Sequence, residues 1–226
     1  MGRLAVILGS NALGPGGEEI TAAAAEHGAA VVQRHGDPDA YVLPHEIDHA
    51  ANLRPLLEQG CDRVLAIASV GSLRKDLPVG TFVCPDDFIA LHLGLSIFTD
   101  TRAHTAPSFA AHWRAEVVAA WAEGGEGPVD GGIYWQTIGP RFETPAEIRM
   151  MAPHADVVGM TIASECVVAG EMGLEYAAVC VVDNMANGLA EGELSVAEIE
   201  ADRLIHAAAL RDGLAAVLPR LGAVGR

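Results

Sequence analysis

Lysine is nearly missing from this chain: Lys75 is the only one in 226 residues. Basic side chains number 14 against 30 acidic ones, for a formal net charge of −16. That balance argues against nucleic acid and anionic membranes as partners. An anion, if bound, must be held by a few arginines and backbone amides, and arginine's planar fork suits bidentate phosphate contact. Long apolar runs are missing too, none reaching the roughly 18 residues of a membrane span. The opening MGRLAVILGS feeds a short apolar run straight into a Gly-rich turn, unlike a signal peptide, so a cytoplasmic location is expected. The four cysteines, Cys61, Cys84, Cys166 and Cys180, have no CxxC spacing. Reduced thiols among apolar neighbours fit them better than a structural zinc site. No internal repeat, low-complexity tract or linker divides the chain, so one domain is expected over residues 1–226.

What is present is a series of short apolar runs that stop at polar or glycine-bearing chemistry. Arg3–Leu8 runs into Gly9-Ser10, with a helix expected from Glu18 to Gly28. Such a strand, turn and helix can cradle a phosphate on amide N–H groups, or be an ordinary first connection of an α/β fold. Ala29–Gln33 ends at Arg34-His35-Gly36, a pair suited to gripping an anion or to lying solvated on the surface. Further strands are expected at Arg63–Ser69, Thr81–Cys84, Gly132–Thr137, Asp156–Met160 and Ala177–Val182. In open α/β sheets ligands sit beyond the carboxyl ends of the strands, which makes Glu143, Thr161 and Asn184 candidates to face one crevice.

Local signals refine this. Thr144-Pro145-Ala146-Glu147 is a strong helix start, leaving Phe142 and Glu143 in the loop before it. A helix is expected from Ile162 to Gly173, and another from the Ser195–Glu198 capping box to about Leu218. Trp113 and Trp121, on a helix over Ser108–Glu123, belong to a core or an interface. Residues 91–106 read as a long irregular loop, functional or packed on a partner. His45-Glu46-Ile47-Asp48-His49 is a literal HExxH, the spacing of a zinc hydrolase. Pro44 and Pro55 crowd it, with a kink or restart expected at Pro55, and no third ligand follows in a matching context.

Taken in order, these motifs resemble the trimeric purine nucleoside phosphorylase and methylthioadenosine phosphorylase family. The resemblance rests on Gly9-Ser10, Arg34-His35-Gly36, the Pro44…Asn52 segment and Gly71-Ser72-Leu73-Arg74 with the PVG that follows. It continues through Asp87-Phe88-Ile89, GPRFET at Gly139–Thr144, ADVVGMT at Ala155–Thr161, Glu165, Gly173 and Asp183-Asn184. It implies a single α/β domain with a mixed central sheet flanked by helices. It implies phosphorolysis of a purine nucleoside, with inorganic phosphate as co-substrate, no other cofactor and no metal.

Carried across by position, Ser10, Arg34, His35, Ser69 and Thr161 would hold phosphate. Phe142 would stack near the base. Glu143 and Asn184 would act on it, with Asp183 entering if the alignment slips by one residue. Met160 and Val196 would meet the ribose and its 5′ group, and a trimer neighbour would offer His104, Pro107 or Phe109. A neutral amide donates to N7 and a 6-oxo group, so Asn184 favours 6-oxopurines. No histidine stands at the start of the last helix, where Ser195-Val196 favours an apolar 5′ group. Together these point to 5′-methylthioinosine. Methylthioadenosine phosphorolysis, a phosphate-independent nucleosidase and a non-catalytic nucleoside sensor are the alternatives. The first turn, GSNALG, and His49, where the family has Tyr, depart from its pattern.

Overall fold

The computed structural model describes residues 2–9, 17–190 and 196–222, without the side chains of Pro38 and 196–203. Its strands are β1 (Arg3–Leu8), β2 (Ala30–Gln33), β3 (Cys61–Ser72), β4 (Phe82–Cys84), β5 (Asp87–Ile89), β6 (Val129–Asp130), β7 (Ile133–Gln136), β8 (Val157–Gly159) and β9 (Glu175–Met185). The helices are α1 (Gly17–Glu26), α2 (His49–Glu58), α3 (Ala111–Ala122), α4 (Pro145–Met151), α5 (Ile162–Glu171) and α6 (Val196–Gly222). All nine strands join one sheet, ordered β5-β7-β8-β3-β9-β4-β6, with β1 also on β3 and β2 on β1. The sheet is mixed: β8 runs antiparallel to β3 and β4 antiparallel to β9, and the other pairs are parallel.

The two long central strands are apolar on both faces, as strands covered on both sides must be. Val64, Ala66, Ala68 and Val70 of β3, with Tyr176, Ala178, Cys180 and Val182 of β9, pack toward α2 and α5. The alternate residues Leu65, Ile67, Ala177, Val179 and Val181 pack toward α1, α3 and α6. Trp113 and Trp121 belong to this second core, and the indole N–H of Trp113 donates to the Val64 carbonyl at 2.7 Å. Among the described residues no helix is long and apolar enough to cross a membrane.

One topological feature makes the site. β9 occupies one edge of β3 from Arg63 to Ser72. The other edge changes partner: β1 follows it as far as Ile67, and β8 takes over at Gly71. Ala68, Ser69 and Val70 lie in the interval, where the edge opens into a cleft.

The structure also extends and corrects the sequence reading. β3 and β9 run past their apolar stretches, so Gly71-Ser72 and Asp183-Asn184 are strand residues, with a bulge in the pairing at Asp183. The ladder continues because each strand offers the other its backbone, whatever the side chains. α2 runs unbroken through Pro55 and does not restart there. The HExxH is split: Pro44–Glu46 is a 3-10 turn and α2 begins only at His49, so its two histidines do not share a helix. Phe109 is buried against Phe88 and Tyr176 and is not free to reach a neighbour. The Ser195–Glu198 capping box lies outside the residues whose side chains are described.

The start of α4 forms as expected. The Thr144 hydroxyl accepts from the Glu147 N–H at 3.2 Å, and the Glu147 carboxylate accepts from the Thr144 N–H at 2.7 Å. Arg141 grips the same carboxylate at 2.7 and 2.8 Å, and its hydrogen bonds, with the Thr144 N–H, bring the carboxyl down to about 2. Thr144→Ala is expected to cost about 1 kcal/mol, the usual loss for such a cap. Urea denaturation checks it: a midpoint equal to that of the parent protein would mean that the box contributes nothing.

Candidate active site

The cleft over Ala68–Gly71 has a volume of about 230 Å³. Gly9, Arg34 and His35 reach it from the ends of β1 and β2; Met160 and Thr161 from the end of β8; Phe142 and Glu143 from the loop before α4; Asn184 from β9. Eight of the expected site residues (Arg34, His35, Ser69, Phe142, Glu143, Met160, Thr161 and Asn184) thus line one cavity. Along β3, Gly9 bonds at Ile67 and Asn184 pairs with Gly71. At 3.3 Å per residue the two ends lie roughly 13 Å apart along the strand.

Arg34 sits at the first end and is buried. Its Nε and Nη2 donate to the two oxygens of Glu165 at 2.7 and 2.9 Å, and Nη1 donates to the Ile67 carbonyl at 2.8 Å. Burial opposes both charges. The mutual charge and hydrogen bonds outweigh it, holding Glu165 well below the usual carboxylate range and keeping Arg34 cationic. Two guanidinium N–H groups remain for a ligand.

Thr161 is the N-cap residue of α5, and its hydroxyl makes no cap bond. The Tyr134 hydroxyl accepts from the Thr161 and Ile162 N–H groups at 3.1 and 3.4 Å instead. The Thr161 side chain is therefore not needed by its own helix, at a terminus whose dipole favours an anion.

His35 stacks on Tyr41, rings 4.6 Å apart, and its Nδ1 lies 2.8 Å from the Val42 carbonyl. A carbonyl only accepts, so Nδ1 carries the proton and Nε2 of the neutral ring is an acceptor. Its partner must therefore bring a proton, as a sugar hydroxyl or a protonated phosphate does.

At the other end, the Thr137 hydroxyl donates to one oxygen of the buried Glu143 carboxylate at 2.6 Å. Asn187 donates to the Glu143 carbonyl at 2.9 Å. Asn184 Nδ2 donates to the Met185 carbonyl at 2.9 Å, which leaves one N–H and Oδ1. Two glycines are needed for close approach. A Cβ on Gly71 would lie 3.2 Å from Asn184 Nδ2, and one on Gly139, at φ +69, only 2.5 Å from Met160 Sδ.

Other expectations fall elsewhere. Asp183 does not line the cleft: its buried carboxylate accepts from the Ser69 hydroxyl and borders a small cavity under α6. That bond also commits the Ser69 proton away from the cleft. His104 is exposed and is not among the lining residues, and Pro107 is exposed too. Ser10 and the Val196 side chain lie outside the described residues. His45 and His49 border a neighbouring cavity with His92, and among the described residues no three such side chains converge as metal ligands.

Sequence reasoning assigned no role to Glu165, Tyr176, Tyr134 or Thr137. Glu165 carried a signal, being an acid among the apolar residues of the first turn of IASECVVAGE, which points to a buried partner. Burial pushes the His35 imidazole below its ordinary 6.5, and the Arg34 charge adds to this against the Val42 bond. The stability it contributes is complete above pH 6.5 and is lost as pH falls through the lowered value. An NMR titration of the ring is expected to give a midpoint below 6.5; a midpoint at or above 6.5 contradicts this environment.

Comparison with known proteins identifies the family and the fold. Residues 9–218 match the Phosphorylase superfamily. The chain is 40% identical over 171 residues to a probable 6-oxopurine nucleoside phosphorylase of Archaeoglobus fulgidus, covering 75% of this chain and 70% of that protein. It is 37% identical over 172 residues to a probable S-methyl-5′-thioinosine phosphorylase of Methanothermobacter thermautotrophicus, covering 75% of this chain and 60% of that one. The fold superimposes with a TM-score of 0.83 on a methylthioadenosine phosphorylase from Schistosoma mansoni, at 21% identity, over 99% of this chain and 93% of that one. With the residues that line the cleft, Gly9 to Asn187, all inside the matched span, the chain belongs to the phosphorylase superfamily.

Proposed function

We propose that the chain is a purine nucleoside phosphorylase acting on 6-oxopurine nucleosides, with 5′-methylthioinosine its substrate. Inorganic phosphate attacks the anomeric carbon and the base leaves. The observation that carries this is the side-chain amide of Asn184 in the cleft, with the Asp183 carboxylate turned behind the strand. A 6-oxopurine offers two adjacent acceptors, N7 and the 6-oxygen, to the one N–H that Asn184 has left. As the glycosidic bond breaks, negative charge grows on the base, and a donor aimed at N7 stabilises it most in the transition state. Thr137 takes one oxygen of Glu143, leaving the other for a ring N–H. The names of the Archaeoglobus and Methanothermobacter relatives support both the 6-oxopurine and the methylthio preference.

Phosphate lies at the Arg34 and Thr161 end, and Met160 lies against the ribose between the two ends. Exposed apolar side chains at the rim, Leu43, Phe142 and the nearby Ile138, support a homotrimer in which a neighbouring copy covers the mouth, with His104 offered across that contact. Four buried, unpaired cysteines suit a reducing cytoplasm.

Initial rates on methylthioinosine, methylthioadenosine, inosine and guanosine, with and without phosphate, test this. Turnover is expected only with phosphate and fastest on methylthioinosine; equal turnover without phosphate means hydrolysis, and a clear inosine preference removes the apolar 5′ group. Asn184→Asp is expected to lower kcat/KM on 6-oxopurines by about a hundredfold and to shift preference toward 6-amino bases. No shift would deny Asn184 the base contact.

A further inference from the structure

Four buried polar side chains stand behind the phosphate end of the cleft. Arg34 alone of them lines it. Glu165 is completely buried on α5, and both of its oxygens are hydrogen-bonded. Oε1 accepts from Arg34 Nε at 2.7 Å, with His49 Nδ1 at 3.8 Å. Oε2 accepts from Arg34 Nη2 at 2.9 Å and from the Tyr176 hydroxyl at 2.6 Å. Burial, and then the Glu165 charge, keep Tyr176 protonated and therefore a donor. His49 Nδ1 is buried with no hydrogen-bond partner, and the Glu165 carboxylate lies 3.8 Å from it.

We propose that Glu165 is a positioning residue for phosphate: braced by Tyr176, it fixes the Arg34 guanidinium so that its two remaining N–H groups face the cleft. This rests on the phosphorolytic reading above. Its physical content is that the pair is close to neutral. Arg34 therefore serves phosphate through directed donors more than through net charge, since Glu165 offsets that charge at contact distance. The Ile67 carbonyl fixes the third side of the guanidinium, which leaves the plane no freedom to turn. Ordering the ligand groups in advance spares phosphate that cost on binding.

Charge and position predict opposite signs, which makes the proposal testable. If charge governed, removing the Glu165 carboxylate would expose more of the Arg34 charge and tighten phosphate binding. If position governs, Glu165→Gln loosens Arg34 and weakens it. The measurement is steady-state kinetics of the full chain, with phosphate varied at saturating nucleoside and nucleoside varied at saturating phosphate. Thermal melting checks that each variant is folded.

Glu165→Gln is expected to raise KM for phosphate about tenfold, as loss of a group that orients a ligand does elsewhere, with KM for the nucleoside unchanged. Tyr176→Phe, which removes one hydrogen bond and no charge, is expected to raise KM for phosphate about threefold. It keeps the test open should Glu165→Gln not fold. An unchanged or lower KM for phosphate in folded Tyr176→Phe, or parallel rises in both KM values, overturns the proposal. Parent protein that turns over without phosphate overturns the phosphorolytic reading itself, and this proposal with it.

Discussion

The buried pair of Arg34 and Glu165 joins the two parts of the sheet that the cleft separates. Arg34 follows β2, on the β1 side of the opening in the β3 edge. Glu165 lies on α5, which continues from β8 on the far side. Between them the guanidinium also holds the Ile67 carbonyl, where β1 pairing ends. Among the described residues β1 and β8 do not pair with each other, and the ion pair spans the interval between them along the β3 edge. Burying two charges costs several kcal/mol each, and only near-complete hydrogen bonding offsets it. Leaving either partner alone would cost roughly 3–5 kcal/mol.

The rest of the site follows from that gap. A strand edge that exchanges one partner for another leaves three residues facing open space, and the chain ends converging there bring unlike chemistry. One end has a fixed guanidinium and a helix start whose amides are taken by Tyr134, so that the Thr161 hydroxyl is left over. The other end has an amide and a carboxylate, each with part of its bonding already spent on the protein. In a chain carrying −16, the proposed phosphate has to be held by local geometry against the global field.

Much of this was legible in the sequence, and the limits are physical. Apolar runs located the strands because period-two burial on two faces leaves few polar residues in β3 and β9. The Thr144-Pro145 start was readable because a capping box is a local interaction. Strand ends were read too short at Ser69 and Val182, since cross-strand pairing does not depend on apolar side chains. Telling Asn184 from Asp183 needed the fold: two adjacent polar residues look alike in sequence, and in the structure one lines the cleft while the other bonds Ser69. The HExxH failed for the reason already visible in Pro44, which starts a separate 3-10 turn. Glu165 was the residue whose role lay beyond reach, because its partner is 131 positions away.

A crystal structure of the protein with phosphate and hypoxanthine bound tests the central claim most directly. Phosphate oxygens within hydrogen-bond distance of the Arg34 guanidinium and the Thr161 hydroxyl, with N7 of the base at Asn184 Nδ2, are the expected result. A base seated away from Asn184, or phosphate held elsewhere with Arg34 turned only to Glu165, would contradict it.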